Sequence, residues 1–346
     1  MIGSFLEGGF CVRLRREGPL PFSAFMEAAL YDPDGGFYAA GGRAGGRRGD
    51  FLTSPEVGPL FGAVLARAID AWWVAVGRPD PFVVVDAGAG PGTLARAVLA
   101  ARPATLEAGA LRYIAVERSS SQREGHAGLP IESMSNLPPG PVVGVILANE
   151  LLDNLPFRLA VFDGVWQEAF VDLGADGRLV EVLRPFVTVP RCLPPEAAHG
   201  ARAPVQEQAA AWVEDARGRL EQGRLVVIDY ARTTSEMAAG PWRGWLRTYR
   251  AHERGDHYLT DPGRQDITAD IALDQLPPPA SVAPQADFLR AHGLDDLVAE
   301  GRRSWAEKAG APDLAALAAR SRVREAEALT DPSGLGGFTV AEWVVG

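Results

Sequence analysis

Asn149, Glu150, Asp153 and Asn154 fall within six positions, directly after the apolar run Gly144–Ala148. Two carboxylates and two amides at the end of a buried segment suit a grip on a small polar group. A carboxylate can hold one edge of a cation through paired hydrogen bonds. The same residue types also cap helices and line solvated turns. A second constellation lies upstream, where "VVVDAGAGPGTLARAV" runs an apolar strand into Asp86, Gly88, Gly90 and Gly92 and then into a helix near Thr93. Glycine is needed where the chain turns sharply and a ligand approaches the backbone, because a Cβ would occupy that space. Glu117 ends the next apolar strand, where a carboxylate can accept hydrogen bonds from both hydroxyls of a ribose.

Glycine turn and acid together predict a nucleoside-containing cofactor. The spacing is G-x-G-x-G, and the third glycine of the dinucleotide pattern would fall on Thr93, which argues against a standard NAD site. No G-x-x-x-x-G-K-[ST] run is present, so a P-loop is excluded. S-adenosyl-L-methionine fits best: it combines a ribose, an amino acid tail for the turn, and a cationic sulfonium that an acidic chain tolerates. The 346 residues carry a formal net charge of -10, which disfavours a broad hold on nucleic acid and favours basic partners. Two cysteines, Cys11 and Cys192, are too few for a disulfide framework and suit a reducing, cytoplasmic setting. No signal peptide and no run able to span a bilayer is visible, so no membrane insertion is expected.

Elements must hold these residues in place. From residue 82, apolar strands alternate with helical segments, the signature of a mostly parallel α/β sheet with helices on both faces. The strands are "FVVVDAG", "LRYIAVE", "PVVGVILAN" and "RLVVIDYA", with "GFTVAEWVV" closing. Between the third and fourth, Asp163-Gly164 and Asp176-Gly177 mark hairpin turns of an antiparallel meander, followed by a helix from about Val205 to Leu220. Upstream, Phe22, Phe25, Met26 and Ala29 share a helical face. A longer helix is expected with Ser54 as N-cap, Pro55 at its first position and an apolar face running from Val57 to Trp72. These patterns divide the chain into an N-terminal helical extension over 1–78 and a main domain over 79–346, with an insertion at about 157–222.

The blocks "PFSAFMEAALYDPDGGFY", "GDFLTSPEVGPLFG", "DAGAGPGTL", "ANELLDNLP", "RLVVIDY" and "DPGRQDITADI", in this order along almost the whole chain, resemble the MidA-like methyltransferases, relatives of the mitochondrial complex I assembly methyltransferase. Asp86 departs from the family, which often has Glu there, as do Asn154 for the usual Ala and Ala231 for the usual Gly. The resemblance implies a class I methyltransferase (Rossmann-like) fold, S-adenosyl-L-methionine bound at the carboxyl ends of the central strands, and protein arginine methylation. In the mitochondrial relatives it implies a respiratory complex I subunit as acceptor. It also implies that "GDFLTSPE" covers the cofactor, with Asp50, Thr53 and Ser54 offering polar contacts; capping of the following helix explains Thr53 and Ser54 equally well.

On this reading Asp86, Gly88, Gly90, Gly92 and Glu117 bind the cofactor, Glu150 and Asp153 clamp a cationic substrate, and Asn149 shapes the floor beside the transferred methyl group. No metal is expected: His252 and His257 are five apart, H-E-x-x-H is missing, and the polar cluster with Asp256, Asp261 and Asp266 reads as substrate wall by resemblance. A small-molecule or other protein methyltransferase, a cofactor-binding assembly factor without turnover and an NAD-dependent oxidoreductase stay open as alternatives. The sequence leaves the acceptor, the degree of methylation and the oligomeric state open.

Overall fold

Runs of β-branched residues such as Val83–Val85 gain most when both faces of a strand are covered, and Phe82–Ala87 is buried at all six positions. In the computed structural model, which describes residues 9–38, 53–250, 253–310 and 313–346, the chain forms two compact units. One takes its residues from Leu52–Glu150, Asp215–Asp229 and Pro279–Gly346, the other from Met1–Phe51, Leu151–Glu214 and Tyr230–Pro278.

The first unit contains a seven-stranded sheet. Its strands are β1 (Phe82–Ala87), β2 (Leu111–Val116), β3 (Glu132–Met134), β4 (Val142–Asn149), β5 (Leu220–Asp229), β6 (Ser281–Pro284) and β7 (Thr339–Val345). The spatial order is β6-β7-β5-β4-β1-β2-β3. The first five strands are mutually parallel, and β7 runs antiparallel to both β5 and β6. The mostly parallel α/β sheet expected from the alternating pattern is therefore present. From β1 the chain proceeds outward to β2 and β3, then returns to lay β4 on the other side of β1. That reversal opens a crevice at the carboxyl ends of β1 and β4, the place where open α/β sheets bind ligands.

The expected long helix is instead two. Ser54–Val57 is capped by Thr53, not Ser54, so Pro55 falls at the second helical position, and Glu56 accepts a hydrogen bond from the Thr53 N–H at 3.2 Å. The chain breaks at Gly58 and restarts as Pro59–Ala75. Proline has no N–H to continue the ladder, and its ring clashes with the preceding turn, so Pro59 ends one helix and opens the next. Leu60 N–H donates to Glu325 at 2.9 Å, and a Cβ on Gly58 would come within 2.3 Å of that carboxylate. The restart is thus capped by an acid from far along the chain, favourably placed for the helix dipole.

The second unit holds the expected meander, Arg158–Phe162, Trp166–Leu173 and Leu179–Pro185, in a five-stranded sheet with Leu20–Pro21 and Arg202–Val205. The helix Phe22–Tyr31 buries Phe22, Phe25, Met26, Ala29 and Leu30 against Phe157, Leu159 and Trp245 in one apolar cluster. Elements not anticipated include the helix Gly9–Glu17 and a small sheet of Leu246–Arg250, Glu253–Arg254 and Asp266–Ala269. The unit boundaries also run differently from those expected, since the helices over 54–75 belong with the parallel sheet. Among the described residues no helix is long and apolar enough to cross a membrane.

Candidate functional site

The carboxyl end of β1 turns through Gly88, Gly90 and Gly92, with φ of 74°, 52° and 80°, a left-handed conformation that favours glycine. Gly88 and Ala89 N–H donate to the Val116 carbonyl at 2.9 and 3.0 Å, which ties the turn to the end of β2. Gly92 then opens the helix Thr93–Ala100. Glu117 follows β2 directly and faces the turn: its Oε2 accepts from Gly90 N–H at 3.0 Å and its Oε1 from Ser119 N–H at 2.7 Å. Among the described residues, nothing lies within 4 Å of a Cβ built on Gly90, so none of them covers the centre of the turn.

Asp86, also expected here, is buried, and its carboxylate accepts from the Tyr113 hydroxyl at 3.0 Å. Burial pushes its pKa up to about 7, against the lowering effect of Tyr113 and with a further upward push from the Glu117 charge. Sheet geometry explains the partner. Asp86 pairs with Ala115 in register, and Tyr113 stands two residues back on the same face of β2.

Register also brings the second constellation beside the first. Ala87 pairs with Ala148, so Asn149 and Glu150 emerge from β4 alongside the start of the glycine turn. Glu150 has φ of 51°, a left-handed conformation that a non-glycine residue holds only at a cost of ~1–3 kcal/mol. Its backbone N–H donates to Ile228 O at 2.9 Å. Its Oε1 accepts from Asn149 Nδ2 at 3.1 Å and from Ser54 N–H at 3.4 Å. Ser54 donates its hydroxyl to Gln285 Oε1 at 2.9 Å. Asn149 Oδ1 is buried and takes no hydrogen bond among the described residues, an unsatisfied acceptor of the kind that a bound ligand completes. Asp50 lies outside the described residues.

Asp153 and Asn154 belong to the other unit, on the 3-10 turn Leu152–Asn154. Asp153, expected with Glu150 to clamp a cationic substrate, is only 1% exposed and accepts from the Thr268 hydroxyl. Asn154 donates to Asp266 Oδ1 at 3.1 Å and Ile267 O at 3.0 Å, while the Tyr38 hydroxyl lies 3.0 Å from Asn154 Oδ1. Burial raises the pKa of both Asp153 and Asp266, with their mutual repulsion adding to the shift of Asp266. Close by, Asp270 is bridged by Arg247 and Arg232 at 2.7 and 2.8 Å. Asp153 and Asn154 thus hold the turn that follows Glu150 in the chain.

The His257 ring lies against Tyr258 at a tilt of 42°, with ring centroids 4.1 Å apart, and His252 lies outside the described residues. No group of three or more His, Cys, Asp or Glu arranged for a metal occurs among the described residues. Tyr113 and His126, both built into the glycine-turn region, carried no signal in the sequence beyond the position of Tyr113 on the face of β2.

The residues of the sheet unit fit an adenosyl amino acid. Glu117 offers carboxylate oxygens for ribose hydroxyls, and among the described residues nothing fills the space over Gly90 and nothing bonds Asn149 Oδ1.

Comparison with known proteins bears on this site. Residues 64–293 match the pattern of a family described as S-adenosyl-L-methionine-dependent methyltransferase. A Drosophila melanogaster protein named protein arginine methyltransferase NDUFAF7 homolog, mitochondrial, is 27% identical over 293 residues, which cover 73% of this chain and 65% of that protein. The Mus musculus protein arginine methyltransferase NDUFAF7, mitochondrial, is 26% identical over 330 residues, 82% of this chain and 73% of its own. The chain thus spans just under two thirds of the fly relative. A crystal structure of a Burkholderia thailandensis protein bound to S-adenosyl-homocysteine superposes with a TM-score of 0.81 at 26% identity, covering 98% of this chain and 91% of that one.

Proposed function

The chain belongs to this family of S-adenosyl-L-methionine-dependent methyltransferases, and from that premise we propose that the atom it methylates is a guanidinium nitrogen of an arginine in a protein. When bound, the cofactor supplies a methyl carbon made electrophilic by its sulfonium. The protein's part is to bring a poor nucleophile into line with it. A guanidinium is delocalised and stays protonated near neutral pH. Glu150 holds one edge of it, draws positive charge toward that edge, and leaves the far nitrogen free to take the methyl group, its surplus proton passing to solvent.

One observation carries this reading: the Glu150 carboxylate is oriented by Asn149 and Ser54 at the carboxyl end of β4, the strand next to the one that bears the glycine turn. The names of the fly and mouse relatives support it, as does the net charge of -10. Asp153, buried and bonded to Thr268, acts in this proposal as a brace for the following turn and not as a second arm. The acceptor is an arginine-bearing protein; the complex I subunit implied for mitochondrial relatives is one candidate. A reducing, cytoplasmic setting is part of the proposal, supported by the free thiols of Cys11 and Cys192.

The test is transfer of labelled methyl groups from S-adenosyl-L-methionine to a protein extract, followed by hydrolysis and amino acid analysis. Methylarginine is the expected product. In Glu150→Gln, transfer should fall about 100-fold while cofactor affinity stays close to wild type. Label on a different residue type or on a metabolite would refute arginine as the acceptor, and undiminished transfer in the variant would remove Glu150 from the mechanism.

A further inference from the structure

Gly90 is held through both of its flanking peptide groups. Its N–H donates to Glu117, and its carbonyl oxygen lies 2.8 Å from Nε2 of His126. A carbonyl carries no proton, so the proton of this bond sits on Nε2. In the neutral ring Nδ1 is then the acceptor, and the Ser133 hydroxyl donates to it at 2.7 Å. His126 is 5% exposed, so water does not compete for either bond. The ring also packs on the turn, where a Cβ added to Gly92 would come within 3.2 Å of His126 Cδ2. Neighbouring atoms repeat the arrangement. Arg96 donates to the Pro91 carbonyl at 2.9 Å and also to the Gly125 carbonyl, and a Cβ on Gly125 would stand 2.7 Å from Pro91 O.

The segment Gly125–His126 therefore lies directly on the backbone of the glycine turn. Gly90 has no side chain to fix its own conformation, and no described atom lies within 4 Å of a Cβ built on it. Whatever sets the planes of its two peptides sets the shape of the cradle before the ligand arrives.

We propose that His126, oriented by Ser133, is a positioning residue for S-adenosyl-L-methionine: it acts through the Gly90 carbonyl to hold the glycine turn in its binding shape, without itself touching the cofactor. The proposal rests on the cofactor site assigned to this turn. Its effect is preorganisation, which raises affinity by removing an ordering cost from the binding step.

Calorimetric titration with S-adenosyl-homocysteine and with S-adenosyl-L-methionine, on wild type and variants, tests it. His126→Ala should weaken binding of both ligands about tenfold while the unliganded protein still folds, as a cooperative thermal transition shows. His126→Gln, whose amide can donate to Gly90 and accept from Ser133, should restore most of that loss. Ser133→Ala should fall between wild type and His126→Ala. Nitrogen-15 spectra of the imidazole should show the proton on Nε2. Unchanged affinity in His126→Ala, or a proton on Nδ1, would overturn the proposal. So would a loss that His126→Gln reproduces in full together with a lower melting temperature. No heat with either ligand in the wild type would instead refute the cofactor site itself.

Discussion

A carboxyl group removed from water is a weaker acid, and Asp86 shows what that does to the protein. Its pKa, pushed up to about 7 by burial, lies above the value of an unfolded aspartate, so between about pH 4 and 7 the folded chain binds a proton that the unfolded chain releases. The stabilisation is complete below the unfolded pKa and is lost as the pH rises through the folded one. The change amounts to roughly 1.4 kcal/mol for each pH unit separating the two pKa values. Asp86→Asn cannot ionise. Urea unfolding of the unliganded proteins should show the variant gaining stability relative to wild type between pH 5 and pH 7.5; a difference that stays constant across that range would contradict the assignment. Legibility at this scale followed sequence distance. The turn at Gly88, Gly90 and Gly92 and the strand end before Glu117 could be read because both are local features. The burial of Asp153 could not, because its partner Thr268 lies 115 residues away. The bond from His126 to Gly90 spans 36 residues with no periodicity to announce it.

Elements were read well wherever one period ran unbroken. The buried strands β1, β4 and β5 and the helix Phe22–Tyr31 stand where their patterns put them. The helix break at Gly58 was passed over because apolar spacing continues across it, although Pro59 marks the restart in plain view. The strand β6, only four residues long and ending in Pro284, offers almost no alternation to detect. The helix that carries the glycine turn is also positioned by a close approach that only a small residue permits. A Cβ on Gly62, in Pro59–Ala75, would lie 2.3 Å from the Cβ of Ala97, in Thr93–Ala100. Gly62→Ala should therefore push these helices apart, costing about 1–3 kcal/mol in urea unfolding, and should weaken binding of S-adenosyl-homocysteine as well. Stability equal to wild type would mean that the two helices are not locked at this point.

The molecule as a whole is written in alternating instalments. Its chain passes from one unit to the other after Phe51, Glu150, Glu214, Asp229 and Pro278. Hydrophobic patterning could reveal the strands but not this alternation, which depends on which segments meet in space. Glu150 is the final residue of its unit before one such passage, and its left-handed backbone lies where the chain leaves the sheet.

The antiparallel pairing of β5 with β7 matches seven residues, from Gly223 opposite Val345 to Asp229 opposite Thr339. It is reinforced by an ion pair at 2.7 Å between Arg224 and Glu342 and by the buried side chains of Val340 and Trp343. A protease site introduced between Pro278 and Pro279 would sever the covalent link between these partners and leave the ladder intact. After cleavage the two fragments should co-elute without denaturant and still bind S-adenosyl-homocysteine; their separation would show that the peptide bond, and not the ladder, holds them. A polypeptide that survives such a nick can be supplied as two genes, and its activity then reports whether both products are present in the same cell.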